Sequence, residues 1–176
     1  MSDIKTTVIE YALQNENNLE IAFETYKAYK DISDQISKRF LFQLKVRLEK
    51  TLDNDNWIFP DINSTSRLTL LIQNKTWTTE TAFGLNDFND ADRACFAVKT
   101  NEDNRSKLFL NIQSEIQGKI APFGWWTRLI SPYNRWNESF EGLNSIYKPD
   151  HLLDYAEVNI TRLSEIIDNY FNPKID

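Results

Sequence analysis

The chain has 176 residues, with 20 Lys and Arg against 26 Asp and Glu, and its formal net charge is −6. One His and one Cys exclude a four-ligand Cys/His zinc site and a disulfide framework, and four scattered Gly exclude Gly-x-Gly-x-x-Gly and Walker A phosphate loops. With 41% hydrophobic residues, including five Trp, seven Tyr and eleven Phe, the chain can bury the core of one domain of about 100–200 residues.

The N-terminal part of the chain is predicted to be helical from about Ile4 to Leu52, with a break near residues 15–18. Apolar residues recur every four positions, as one buried helix face requires: Ile32, Ile36, Phe40, Leu44 and Leu48. Asp31 or Ser33 is the expected N-cap of this second helix.

The middle of the chain contains three short apolar runs, at residues 67–73, 81–85 and 93–99, and Asn and Asp clusters bound them. Such runs predict the strands of a small, mostly antiparallel sheet. The acidic stretch 86–92 lacks the Gly and the terminal Glu of an EF-hand calcium loop, so we interpret it as a hairpin loop.

The C-terminal part is predicted to contain a helix over residues 104–117, an aromatic segment over 122–136 and a long helix that opens at Pro149-Asp150 and ends before Pro173. The predicted fold is therefore a single α+β domain over residues 1–176. Its parts are N-terminal helices at about 1–52, a small sheet at about 57–136, and a C-terminal helical part with the long helix at about 137–172.

Few residues in this chain carry obvious chemistry. His151 stands at a predicted helix start and is expected at the surface, and Cys95 lies in an apolar run, where a thiol behaves as a small buried hydrophobe. We therefore predict no catalytic residue, no metal site and no cofactor. One alternative is a degenerate nuclease-type metal site, in which Asp61 and Gln73 would hold the metal and Lys75 would position water.

The aromatic segment combines large rings with cations, which is typical of nucleic-acid and protein-binding surfaces. The predicted binding residues are Trp125, Trp126, Arg128, Tyr133, Arg135 and Trp136. The alternative is that at least two of the three tryptophans close the core. Two basic blocks, at residues 27–50 and 93–135, either form one positive face or are each balanced by acidic neighbours.

Aromatic residues and short motifs follow one another in a recognisable order between residues 17 and 171. They are Arg39-Phe40 and Leu44 on a helix, Trp57, Lys75-x-Trp77, Phe83-Gly84-Leu85, Trp125-Trp126 with Tyr133 and Trp136, and a long final helix. This order resembles the C-terminal region of certain prokaryotic PD-(D/E)XK nuclease superfamily proteins. The resemblance implies an accessory part that follows a nuclease domain and lacks its catalytic residues.

The leading functional hypothesis is a non-enzymatic binding module that acts beside nucleic-acid processing, on DNA or RNA or on a nuclease-type protein partner. The alternative is a small acidic inhibitor of a target protein, of the phage anti-defence or toxin-immunity type, since a charge of −6 favours steering onto a basic site. No apolar run of about 18 residues and no signal-peptide pattern occur, so we expect a soluble cytoplasmic protein without membrane contact. The sequence leaves the oligomeric state open.

Overall fold

A computed structural model of the chain describes residues 2–52, 55–62, 68–77, 79–90, 92–101, 103, 105–122, 124–137 and 140–173. The α-helices are α1 (Ser2–Ala12), α2 (Glu16–Thr51), α3 (Arg105–Glu115), α4 (Phe140–Tyr147) and α5 (Asp150–Phe171). The strands are β1 (Trp57–Ile58), β2 (Leu70–Asn74), β3 (Thr81–Asn86), β4 (Cys95–Thr100), β5 (Lys119–Ala121) and β6 (Gly124–Arg128), and a 3₁₀ helix covers Tyr133–Arg135. The α+β class with a long C-terminal helix is confirmed.

The chain divides after Gln35 into two compact units. The single domain over residues 1–176 stays a prediction. In the first unit, α1 and the start of α2 are separated by a short turn, as the sequence predicted. The Asn15 side chain caps α2, because its Oδ1 accepts the Asn18 backbone N–H at 2.9 Å, and the Asn18 amide donates to the Tyr11 carbonyl at 3.0 Å.

The expected cap at Asp31 or Ser33 is wrong, because both residues lie inside α2. Residues 16–51 contain neither Gly nor Pro, so nothing in the sequence interrupts the helix once Asn15 has started it.

The second unit contains a six-stranded antiparallel sheet with the strand order β1-β2-β3-β4-β6-β5. The three predicted strands are confirmed as β2, β3 and β4. Asn86 pairs with Cys95, so the acidic stretch between β3 and β4 closes a hairpin as expected. Sequence inspection missed β1, β5 and β6, and it took residues 124–128 for part of a loop; α4 lies within the predicted C-terminal helical part, where only the long helix was bounded.

Successive side chains of each strand point to opposite faces of the sheet, and one of these faces is covered while the other is open. The covered face carries buried Phe83, Phe96, Val98 and Trp125, and it packs against the helices. The Phe96 ring packs edge-on against Tyr155 of α5, with ring centroids 5.6 Å apart.

Two residues that follow strands of the sheet also contact α2 and α5. Phe40 of α2 stacks on Phe88 at 4.7 Å, and the Trp77 indole N–H donates to Asp168 of α5 at 3.1 Å. The core of the second unit therefore lies between the sheet and these helices. None of the helices that the structure describes is both long enough and apolar enough to cross a membrane.

Candidate binding groove on the open sheet face

A groove of about 500 Å³ lies on the open face, across β3, β4 and β6. Its floor consists of small residues, because Cys95, Ala97 and Gly124 project to this side of the strands. Gly124 is required where β6 runs close to β4, since a Cβ there would lie 2.9 Å from the Val98 carbonyl oxygen. Within the described part of the chain, the groove lining contains no helical residue.

The walls of the groove hold one large ring and several cations. Trp126 is half-buried and pairs with Ala97 across the strands, and the Lys119 ammonium lies 5.3 Å from the centre of its ring. Lys99 and Arg128 stand near the two ends of the floor, because Lys99 pairs with Gly124 and Arg128 pairs with Cys95. Lys99 is four positions after Cys95 on β4, so the backbone positions of Lys99 and Arg128 lie about 13 Å apart along the sheet.

The partners of these cations differ. The Lys99 ammonium donates to the Asn86 amide oxygen at 2.8 Å, and Arg93 at the rim lies 3.3 Å from the Asp90 carboxylate. Arg128 is exposed and forms no ion pair with any of the residues that the structure describes. Its guanidinium is therefore available to a ligand.

The local charge of the groove is opposite to that of the whole chain. Its lining and the neighbouring Lys119 carry four cations and two carboxylates, the latter from Asp87 and Asp92, whereas the whole chain has a net charge of −6. Burial raises the pKa of the Cys95 thiol to about 11, and the nearby Asp87 charge acts in the same direction. Cys95 is therefore a neutral, apolar part of the floor at physiological pH.

The structure separates the six predicted binding residues. Trp126 and Arg128 lie together in the groove, whereas Trp125 and Trp136 are fully buried. The Trp125 N–H donates to Gln113 at 3.0 Å on the covered side, and Trp136 stacks against Phe88. The alternative that at least two of the three tryptophans close the core is confirmed.

Tyr133 and Arg135 lie in the 3₁₀ helix and not in the groove lining. Tyr133 is half-buried and stacks on Tyr155, with ring centroids 5.7 Å apart, while Arg135 is exposed. The six predicted binding residues did not include Asn86, Lys99 or Lys119, although both lysines belong to the second basic block of the sequence. Their signal is strand alternation, since Lys99 lies two residues beyond Ala97 and Lys119 pairs directly with Trp126.

Two cations of the first basic block, Arg47 and Lys45, lie in the helix layer of the second unit and are paired there with carboxylates. Arg47 of α2 pairs with Asp154 and Glu157 of α5, and its hydrogen bond to Asp154 raises the pKa of the guanidinium above its ordinary value. Lys45 pairs with Glu49 at 3.7 Å. Lys99, Lys119 and Arg128, in contrast, lie on strands of the sheet.

The nuclease-type alternative is not assembled in the described residues. The Lys75 ammonium donates to the Asp55 carbonyl at 2.7 Å, and Ile58 pairs with Gln73, so the chain leading to Asp61 runs away from Lys75. In the same residues, no group of three His, Cys, Asp or Glu side chains is placed to hold a metal ion. His151 is exposed in the first turn of α5, as the sequence predicted.

Comparisons of the chain with protein-family models, with curated proteins and with solved structures gave no match. The resemblance to the C-terminal region of PD-(D/E)XK nuclease superfamily proteins therefore stays a prediction. The binding properties of the groove are therefore inferred from the groove residues themselves.

Proposed function

We propose that this chain is a binding module whose open sheet face holds a short stretch of single-stranded nucleic acid. The carrying observation is the position of Trp126, which stands in an uncovered groove beside Lys119 and between Lys99 and Arg128. A base can stack on the indole while the phosphates on either side meet the cations. Proteins that bind single strands without strong sequence preference combine these two elements.

The small side chains on the floor of the groove support this proposal. Cys95, Ala97 and Gly124 leave a shallow apolar surface beside the Trp126 ring, and a flat base can lie there without displacing a large side chain. Stacking of one base on an aromatic side chain contributes about 1–3 kcal/mol. The cations add sequence-independent contacts to the phosphates.

The proposed role is binding and not cleavage. The Cys95 thiol is neutral because burial raises its pKa to about 11, and the remaining charged groups of the groove are cations and rim carboxylates. A module of this kind would act beside a nucleic-acid-processing protein, which would supply the chemistry. A nuclease-type partner fits that arrangement.

The test is the affinity for a fluorescent single-stranded DNA or RNA oligonucleotide of about 12 nucleotides, measured by anisotropy at low salt, where phosphate contacts are strongest. Trp126→Ala is expected to weaken binding by about 10- to 100-fold, because it removes the stacking ring. Arg128→Ala is expected to weaken it by about tenfold, because it removes one phosphate contact.

Two matched controls keep the test specific to the groove. Phe42→Ala removes an exposed ring from α2, and Arg162→Ala removes an exposed guanidinium that pairs with Glu115. Both variants should bind like the unaltered protein. Equal losses in the controls and the groove variants, or no binding by the unaltered protein, would overturn the proposal. In the second case, a stoichiometric partner that survives nuclease treatment in a pull-down would favour the acidic-inhibitor hypothesis.

A further inference from the structure

Within the first unit, none of the hydrophobic side chains of residues 5–35 is buried, and ten large ones are exposed. Its exposed large hydrophobic residues are Val8, Ile9, Tyr11, Leu13, Leu19, Ile21, Phe23, Tyr26, Tyr29 and Ile32. A segment of fewer than about 40 residues rarely holds its own fold without a disulfide, a metal or a partner. The first unit therefore has the properties of half of an interface.

The apolar residues of α2 in this unit follow a coiled-coil pattern. Leu19, Ala22, Tyr26 and Tyr29 are separated by three, four and three residues, which places them on one stripe at the a and d positions of a heptad. We call these four residues the seam. Phe23, which is 57% exposed, lies beside the seam at an e position.

We propose that the seam binds the seam of a second copy of this chain, with the two α2 helices antiparallel about a two-fold axis that crosses the seam midway between Ala22 and Tyr26. In this register Ala22 faces Tyr26 of the other copy and Leu19 faces Tyr29. Each large ring therefore meets a small or aliphatic side chain. Such a self-complementary patch closes as a dimer.

The charges beside the seam favour the antiparallel orientation. Glu16 and Lys30 both occupy e positions, and e positions face each other in an antiparallel pair, so Glu16 of one copy meets Lys30 of the other at both ends. In a parallel pair, e positions face g positions, and Lys30 would meet the neutral Thr25. Neither Glu16 nor Lys30 takes part in an ion pair within the part of the chain that the structure describes.

The available area is sufficient for a dimer. Phe23, Tyr26 and Tyr29 are 57%, 79% and 41% exposed. At about 150–250 Å² for each aromatic side chain, they present about 350 Å² per copy. Leu19 and Ile32 add to this area, so the pair reaches about 1,000 Å² in total, which is the lower limit of specific interfaces.

The first experiment is sedimentation equilibrium on the full chain, for which we expect a dimer at micromolar concentration. Tyr26→Asp should raise the dimer dissociation constant by about 100-fold, because the change occurs twice in each interface. Phe42→Asp is the matched control, since Phe42 is a similarly exposed ring on α2, outside the first unit, and should leave the dimer intact. A monomer at about 100 μM, or equal effects of the two variants, would overturn the proposal.

The second experiment tests the orientation by disulfide cross-linking. The Phe23 positions of the two copies lie within one helical turn of each other in the proposed register, whereas the Leu19 positions are about 15 Å apart along the axis. Oxidation should therefore link Phe23→Cys chains but not Leu19→Cys chains, and the unaltered protein, with buried Cys95 alone, should stay unlinked. Efficient linking of Leu19→Cys would contradict the antiparallel pair.

A charge exchange gives an independent readout of the same register. Glu16→Lys should weaken the dimer, and adding Lys30→Glu to the same chain should restore it, because the pair forms between copies. The two residues are about 21 Å apart on one helix, so they cannot pair within a chain. Failure of the double variant to restore the dimer would count against the register.

Discussion

The Cys95 side chain shows how burial sets the chemistry of a single residue. Its pKa is raised to about 11 from an ordinary value of 9.0, chiefly because desolvation penalises the thiolate. We predict that alkylation of the folded protein stays slow at pH 8–9 and accelerates only as the pH approaches about 11, since the thiolate is the nucleophile. Mass spectrometry after timed iodoacetamide treatment measures this rate.

The same shift links Cys95 to stability. The folded state holds the thiol proton more tightly than the unfolded state, so the stabilisation is complete below pH 9 and is lost as the pH rises towards about 11. The full effect of two pH units is about 2–3 kcal/mol. Denaturant unfolding at pH 8 and pH 10.5 should show a smaller pH effect in Cys95→Ala, and equal pH effects in both proteins would show that burial does not raise this pKa.

Gly84 sets the close approach of two strands. Its φ is +142°, a conformation that side chains disfavour, and an added Cβ would lie 2.1 Å from the Leu70 carbonyl oxygen on β2. We predict that Gly84→Ala destabilises the protein by about 2–4 kcal/mol, because either the backbone angle or the β2–β3 pairing must change. Denaturant unfolding measures the loss.

The matched control for this element is Ala82→Gly, two residues earlier on the same strand. It should lower stability by only about 0.5–1 kcal/mol, through the greater flexibility of the unfolded chain. A Gly84→Ala variant as stable as the unaltered protein would show that β2 and β3 can separate locally without loss.

The elements that could be predicted from sequence are those with clearly bounded apolar runs or with an apolar pattern that repeats over many residues. The β2, β3 and β4 runs are bounded by Asn and Asp clusters, and the α5 stripe persists over 22 residues. In contrast, β5 has three residues, and β6 carries adjacent tryptophans that face opposite sides of the sheet. The pairing of β6 with β4 places Trp125 in the core and Trp126 in the groove. The sequence around a strand does not reveal which distant strand it pairs with, so the different positions of the two tryptophans could not be predicted.

At the scale of the whole molecule, cations paired with carboxylates lie in the helix layer, whereas the cations around Trp126 lie on the open face of the sheet. The chain carries −6 in total, and the helix layer pairs Lys45 and Arg47 with carboxylates, while the groove keeps Lys99, Lys119 and Arg128 around one ring. A net negative protein repels nucleic acid at long range, so binding must depend on a few local contacts. This makes the salt dependence of binding a test of where the nucleic acid lies.

We predict that a plot of the logarithm of the binding constant against the logarithm of the salt concentration has a slope of about −2. Three phosphate contacts give this value, because each contact to a single strand contributes about −0.7. Arg128→Ala should reduce the slope to about −1.4. Arg162→Ala changes the net charge by the same amount but lies away from the groove, so its slope should equal that of the unaltered protein. Anisotropy titrations at four salt concentrations measure the slopes. Identical slopes for the two variants would mean that overall charge, and not the groove, governs binding.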